Sequence, residues 1–513
     1  MCGITAIWGE NDTALTRQIM ESLIHRGPDA SGIASWERAT LGHRRLSIMD
    51  PEGGRQPICS EDKTIAIVAN GEIYNFASLK EALSTSHQFS TSSDSEVPLH
   101  LYEEAGCNMV KRLDGMFAFI LTNGQELFAA RDPVGIKPLY YGNSGHRKVF
   151  ASELKALSGR ATDVKEFPPG SFFHTKIGFH KYRSLPRAIP EEGPIDQWCV
   201  LIRKTLERAI RKRLMSDVPL GAFLSGGLDS SVVAAVARAH MDELHTFSVG
   251  IEGSRDLEAA RVVAQHIDSI HHEYVFTRDD IQRCLPEIVF YLESFDQDLV
   301  RSAVPCYFVS RLASEYVKVI LTGEGADELF AGYSYYRRFD RTMPLHEELY
   351  RSVSSLHNIN LQRVDRLTMA HSIEGRVPFL DLEMIELGQR IPSCLKIRQL
   401  RNGTQVEKWI LRKAFEDLLP AEILWRTKEQ FDEGSGTADV LTCMGDYFMP
   451  QNAAKEYTAA HKDDCIRSHE ESVYHKLLCE AYIDPSTILA NIARWKDNRI
   501  YEWPNKLDSG NGK

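Results

Sequence analysis

The chain has 513 residues, 43% of them apolar and 26% charged, and a formal net charge of −11. That length exceeds what one hydrophobic core organises and predicts two large domains, while the acidic balance argues against general nucleic-acid binding. Ten cysteines are scattered without a C-x-x-C pair, so they suggest neither a cysteine zinc site, a redox pair nor a disulfide framework, and free thiols in a reducing cytoplasm are expected.

The chain opens "MCGITAIWGE". A small residue after Met1 allows removal of that methionine, which would leave Cys2 with a thiol beside a free α-amine. An amine with a pKa near 8 can take the thiol proton, so the nucleophile would carry its own base. No basic stretch followed by an apolar core opens the chain and no run of about 18 apolar residues occurs, so neither a signal peptide nor a membrane span is expected. Residues 1–183 read as short strands broken by Gly, Asn and Asp, with helices around 13–25, 76–85 and 95–106. "TIAIVANGEIYN" is a strand running into a turn, and "GMFAFILTN" and "ELFAARD" pair across Asn123-Gly124. This pattern predicts an α+β sandwich.

Pro-rich segments, "FPPG" and "LPRAIPEEGP", then punctuate the chain and place a boundary between domains at 1–190 and 195–513. Beyond it an amphipathic helix over 196–214 leads into an apolar strand, a Gly turn and a helix in "DVPLGAFLSGGLDSSVVAAVARAH". "LHTFSVGIEG", "IHHEYVF" and "YVKVILTGEGADELFAGY" supply three more strands. Strands alternating with helices predict a doubly wound parallel sheet, with strand order 3-2-1-4 expected. Residues beyond about 340 read as mainly helical, and "DSGNGK" as a frayed end.

Two sets of motifs carry chemistry. "HRGPDASG", "HRRLSIMD", "NGEIYN", "SSDSEV" and "RDPVGIKPLYYG" follow one another in the first domain. In the second, successive small residues in "FLSGGLDSS" can leave N–H groups free to line an anion nest at a helix start. A loop after the fourth strand, "LTGEGADELFAGY", would lie beside it at the switch point of the sheet. Asp229 and Asp327 would then face one polyphosphate, a pairing that suits Mg²⁺.

The first set closely resembles the glutaminase domain of class II amidotransferases, an N-terminal-nucleophile sandwich. The S-G-G-L-D-S-S string resembles the pyrophosphate loop of ATP pyrophosphatases. With "MAHSIEGRVPFLD" and "RTKEQFDEGSG", the whole resembles the glutamine-hydrolysing asparagine synthetase family. That resemblance implies Cys2 as nucleophile, Asn70 and the Gly71 N–H as oxyanion hole, and Arg45, Asn70, Gly71, Glu72 and Asp94 as glutamine contacts. It implies ATP contacts at Leu224, Ser225, Gly226, Gly227, Asp229, Ser230, Val249, Thr322 and Gly323. Glu324 would be the base during ammonia attack, Lys428 would neutralise phosphate charge, and Asp229 and Asp327 would bind Mg²⁺. Ala326, Thr322 and Gly375 depart from the usual residues of the family.

The expected activity is hydrolysis of glutamine to ammonia and adenylation of a carboxylate, with aspartate the leading acceptor and asparagine the product. Two alternatives stand beside it: the same chemistry on another carboxylic acid, and a glutamine- or nucleotide-binding relative without turnover. The expected partners are glutamine, ATP and the acid, with no nucleic acid and no membrane. A homodimer is left open.

Overall fold

The computed structural model describes residues 2–339, 342–401 and 403–494; the C-terminal "DSGNGK" lies outside them. The N-terminal part is built from twelve strands: β1 (Gly3–Trp8), β2 (Ala30–Ser35), β3 (Ala39–Arg45), β4 (Ile58–Cys59), β5 (Ala66–Ile73), β6 (Gly115–Thr122), β7 (Leu127–Arg131), β8 (Tyr140–Ser144), β9 (Arg147–Ala151), β10 (Thr162–Glu166), β11 (Ser171–His174) and β12 (Gly178–Lys181). They form two six-stranded sheets, in order β10-β8-β9-β1-β3-β2 and β12-β11-β7-β6-β5-β4. Every pairing in them is antiparallel, including the β6–β7 hairpin expected across Asn123-Gly124.

Strand alternation puts side chains of one parity on one face. Ile4, Ala6 and Leu41 of one sheet meet Ala66, Val68, Ala118 and Ile120 of the other in a closed apolar layer. Helices α1 (Thr13–Glu21), α2 (Phe76–Leu83) and α3 (Val97–Ala105) cover outer surfaces; Ile67, Ala69 and Ile73 turn outward to pack on Leu83, Leu99 and Leu101. Parity then has a consequence for the site. Cys2 shares a face with Ile4 and Ala6, and Asn70 and Glu72 share a face with Ala66 and Val68. These polar groups therefore gather at one end of the sandwich interior.

The C-terminal part begins with helix α4 (Ile195–Lys212). Its central sheet comprises β13 (Leu220–Phe223), β14 (His245–Gly250), β15 (Ile270–Val275), β16 (Val319–Leu321) and β17 (Glu374–Arg376), in order β15-β14-β13-β16-β17. All its pairings are parallel. The expected order of four strands is present, with a fifth strand added at the edge from "EGR", a segment read from sequence only as part of a helical region. Helices α4, α5 (Leu228–Arg238) and α6 (Arg255–Ile267) pack on one face. Helices α7 (Arg278–Leu292) and α8 (Gln297–Ala313) pack on the other. Among the described residues no helix is long and apolar enough to cross a membrane.

The two parts are joined through buried charge. Arg26 donates from Nη1 to Glu153 at 2.6 Å and to Asp365 at 2.7 Å. Arg366 donates to Glu293 at 2.8 Å and to Asp365 at 3.0 Å. Lys155 reaches Glu153 at 2.7 Å and Glu293 at 3.2 Å. All six side chains are buried. Arg26, Glu153 and Lys155 come from the sandwich, and Glu293, Asp365 and Arg366 from the C-terminal part, so each side alone carries one uncompensated charge. Removing one partner from such a set costs about 3–5 kcal/mol. Arg26→Met should therefore lower the thermal midpoint markedly and let the two parts melt in separate transitions. A single transition at the parent temperature would contradict this role.

Candidate functional site

At the sandwich end, the Cys2 backbone nitrogen donates to Asn70 Oδ1 at 2.9 Å, and the Cys2 Sγ lies 3.9 Å from the Leu46 carbonyl. Arg26 Nε donates to the Cys2 carbonyl at 3.0 Å and fixes the start of the chain. Burial pushes the Cys2 thiol above its ordinary range, against the pull of the Leu46 carbonyl contact and the Arg45 guanidinium. The thiol is therefore not a standing thiolate and needs a base in reach to react.

Asn70 and Gly71 lie inside β5, not in the turn expected after it; the strand continues through Ile73, paired to Gly115. Asn70 Nδ2 is buried and donates to nothing, so a strong donor is free beside the thiol. Gly71 has φ +142, and a Cβ there would lie 2.0 Å from the Met116 carbonyl. No larger residue fits, because β6 runs too close.

The glutamine contacts expected from sequence gather around this point. The Asp94 Oδ2 accepts from the Ile73 N–H at 2.6 Å. Burial raises the Asp94 carboxyl to about 6 despite that bond. Glu72 is buried with Oε2 unbonded, and burial together with Asp94 and Glu374 pushes its carboxyl well up. Arg45 holds the neighbouring loop, donating to the carbonyls of Pro51 at 2.9 Å, Met49 at 3.1 Å and Asp50 at 2.5 Å. A guanidinium has five N–H donors, so two remain for a ligand carboxylate.

A second site lies where β13 and β16 end, the point at which strand order reverses. Glycine makes the closeness possible: a Cβ on Gly323 would sit 2.8 Å from Ser230 N and 2.9 Å from Asp229 Cβ. The two loops expected to converge are thus in contact. They border a cavity of about 200 Å³ lined by Leu224, Ser225, Gly227, Asp229, Ser230, Val249, Thr322, Gly323, Glu324, Asp327 and Lys428. Gly226 does not line it. Its φ is +68, and a Cβ there would lie 2.5 Å from Ala259 of α6, so it forms the tight turn that lets α6 pack behind the loop. Ser225 and Ser230 hydroxyls lie 3.1 Å apart, and the α5 N-terminus points its positive end into the cavity.

Three residues that sequence reading missed complete this site. Lys408 is buried with its Nζ 2.5 Å from both Asp229 and Asp327, and Lys428 lies 3.0 Å from Asp327. Burial is outweighed by these two ammonium groups, which hold the Asp327 carboxyl at about 2. Burial works against the Lys428 charge, but Asp327 and Asp229 more than offset it and raise its pKa. Asp229 Oδ1 is buried and accepts no hydrogen bond. Arg363, on the helix Asn360–Met369, lies 2.5 Å from Glu324 and keeps a buried, unbonded Nε. Glu328, one residue past Asp327, is pushed up to about 8 by burial, Asp327 and Glu324, and accepts from Tyr333 at 2.7 Å. Lys408 and Arg363 follow no glycine-rich signal, and long-range folding alone brings them in.

A fourth omission joins the two sites. Arg376 of β17 lies 3.4 Å from Glu72 and 2.6 Å from Glu374. The Lys137 Nζ of the sandwich lies 3.4 Å from the Gly375 carbonyl. Apolar side chains continue the link. Leu46, Ile48, Met116, Val134 and Ile136 of the sandwich share one cluster with Leu224, Leu228 and Val377. That seam begins beside Cys2 and ends at the Ser-Gly-Gly loop.

Residues 1–182 match a family described as a glutamine amidotransferase domain, and residues 201–344 and 337–484 match one described as asparagine synthase. Asparagine synthetase (glutamine-hydrolyzing) 2 of Arabidopsis thaliana is 39% identical over 96% of this chain and 89% of its own length. The chain belongs to the asparagine synthetase family. The corresponding Arabidopsis enzyme 3 is 44% identical over 85% of this chain and 79% of its own. The asparagine synthetase of Zea mays is 42% identical over 85% of this chain and 78% of its own.

The role expected of Asp94 from the family resemblance, accepting the α-ammonium of glutamine, requires its ionised form. Its carboxyl, raised to about 6, is protonated below that pH and loses its charge as acid is added. The fall of kcat/KM for glutamine that protonation of the Cys2 α-amine causes should therefore steepen by up to tenfold per pH unit below about 6, and Asp94→Asn should remove that added steepness. A profile that does not steepen below pH 6 would remove Asp94 from ammonium recognition.

Proposed function

We propose that the protein makes asparagine from aspartate, using glutamine as nitrogen source and ATP as activator, with glutamate, AMP and pyrophosphate as the other products. The observation that carries this reading is the pair of sites in one chain, joined by an apolar seam, with a free donor beside a cysteine at one end and a phosphate-shaped loop at the other.

In the first half-reaction the Cys2 α-amine takes the thiol proton and Sγ adds to the glutamine amide carbon. Negative charge develops on the amide oxygen, to which Asn70 Nδ2, free of any partner, and the Gly71 N–H would donate. Fixed donors of this kind are worth about 2.7–4 kcal/mol each. Ammonia leaves, and water then cleaves the thioester to give glutamate. Arg45 fits the α-carboxylate and Asp94 the α-ammonium, with Glu72 a further contact to the glutamine.

In the second half-reaction an aspartate carboxylate oxygen attacks the ATP α-phosphorus and pyrophosphate departs. Ser225, Ser230 and the N–H groups at the start of α5 cradle the phosphates. Lys408 and Lys428 neutralise their growing charge. Asp229 and Asp327 would hold Mg²⁺, since hard carboxylate oxygens suit it and Asp229 Oδ1 has no other partner; bound there, the ion supplies further charge neutralisation. The Arg363 guanidinium, facing Glu324 in the same cavity, fits the second carboxylate of aspartate. Ammonia then adds to the acyl carbon, Glu324 takes the proton it sheds, and AMP leaves.

An internal route for ammonia follows from solution chemistry: most ammonia in water at pH 7 is protonated and unreactive. The apolar seam supports keeping it neutral. All ten cysteines are free, which supports a reducing, cytoplasmic setting. The two matched families follow one another in this chain, which supports both half-reactions in one subunit.

Two variants test the assignment. Cys2→Ala should abolish glutamine-driven synthesis and leave ammonia-driven synthesis near the parent rate. Glu324→Gln should slow amide formation about 10²–10⁴-fold, the usual worth of general-base help. Pyrophosphate–ATP exchange dependent on aspartate shows whether adenylation falls with it. Unaltered amide formation by Glu324→Gln would remove that residue from the mechanism. AMP release that is faster with another carboxylic acid than with aspartate would overturn the acceptor.

A further inference from the structure

Outside both sites, on the outer side of the sandwich, four side chains converge that neither half-reaction uses. Glu61 lies in the turn after β4, His87 in the loop after α2, and His100 and Glu103 on α3. One ligand atom from each lies within 4.8 Å of all the others. His87 Nδ1 is 3.4 Å from Glu103 Oε2 and 3.7 Å from Glu61 Oε1. His100 Nδ1 is 3.7 Å from Glu61 Oε2 and 2.7 Å from Glu103 Oε2. Three of these four separations are too long for hydrogen bonds. They lie close to the edge of a tetrahedron with bonds of about 2.0–2.1 Å, which is about 3.3–3.4 Å.

The far nitrogens make the same point independently. The His100 Nε2, on a fully buried ring, makes no hydrogen bond and faces Glu96 Oε1 at 3.5 Å. Glu96 is itself held by the N–H and hydroxyl groups of Ser90 and Thr91 at 2.7–2.8 Å. His87 Nε2 faces Glu104 Oε1 at 3.7 Å. Both imidazoles thus point Nδ1 toward the other ligand atoms and Nε2 toward a carboxylate 3.5–3.7 Å away, which a small closure would bring into the outer-shell hydrogen bond of metal-bound histidines.

We propose that Glu61, His87, His100 and Glu103 bind a zinc-class divalent ion. Two neutral imidazoles and two carboxylates balance its charge, and nitrogen ligands select against Mg²⁺ and Ca²⁺. The ion would clip three chain segments together. One of them, α3, follows directly on the turn Asp94–Glu96 that carries Asp94 into the glutamine site, so the clip would steady that carboxylate from behind.

The test uses the full chain, stripped with a chelator and titrated with Zn²⁺ and with Co²⁺. One equivalent should bind, unaffected by millimolar Mg²⁺, and Co²⁺ should give visible d–d bands without the thiolate charge-transfer band that a cysteine ligand produces. Amide exchange over residues 87–105 should slow on binding. Glu61→Gln, at an exposed position, and His87→Gln should each weaken binding at least tenfold while the protein stays folded and active with ammonia. Unchanged titrations in both variants, or a cobalt spectrum dominated by thiolate, would overturn the site and leave a solvated histidine–carboxylate cluster.

Discussion

The structure depends on charges that are buried only because two domains share them. Arg26 and Lys155 on one side meet Asp365 and Glu293 on the other, with Glu153 and Arg366 between them. Desolvating any one of these alone would be far more costly than its best single contact returns. Together they set how the sandwich docks on the parallel sheet. Docking in turn decides what lies behind Cys2, because Arg26 also holds the Cys2 carbonyl. The same residue therefore anchors the nucleophile and the interface.

Chemistry is distributed to match. Oxyanion donors need a rigid frame, and Asn70 and Gly71 sit mid-strand in a six-stranded sheet. Phosphate binding needs a bend and free N–H groups, and these occur where strands end and helices begin. Between the two, an apolar seam and the Arg376–Glu72 contact join the half-sites. Gly375 shows how closely this region is packed: a Cβ there would lie 2.9 Å from Val364 of the helix behind it. That accounts for one departure from the family's usual residues.

Much of this was legible in the sequence, for physical reasons. The sandwich strands alternate and end in turn residues, and the parallel strands are short apolar runs followed by glycine. Residues set by local backbone requirements, such as Gly71 and Gly323, announce themselves by type. What was not legible is long-range. The three-residue strand Glu374–Arg376 is too short to show a period, so the fifth strand and its Arg376 were read as helical surroundings. Lys408 and Arg363 are ordinary basic residues until folding brings them to Asp229 and Glu324. Gly226 is expected as a ligand contact from its motif, and its backbone turn adds a second reason for the glycine. The cysteines carry no metal-ligand spacing, and the histidine–glutamate cluster spans positions 61 to 103 with no compact spacing to reveal it.

The central claim is that nitrogen released at Cys2 reaches the acyl group through the protein. The direct measurement is isotopic: supply glutamine labelled with ¹⁵N at the amide, with unlabelled ammonium in the medium at a concentration equal to the glutamine, and read the label in the amide product at pH 7. Internal transfer predicts that nearly all product carries the label. Product labelled only in proportion to the mixed ammonia pool would show that nitrogen passes through solvent, and would contradict the account.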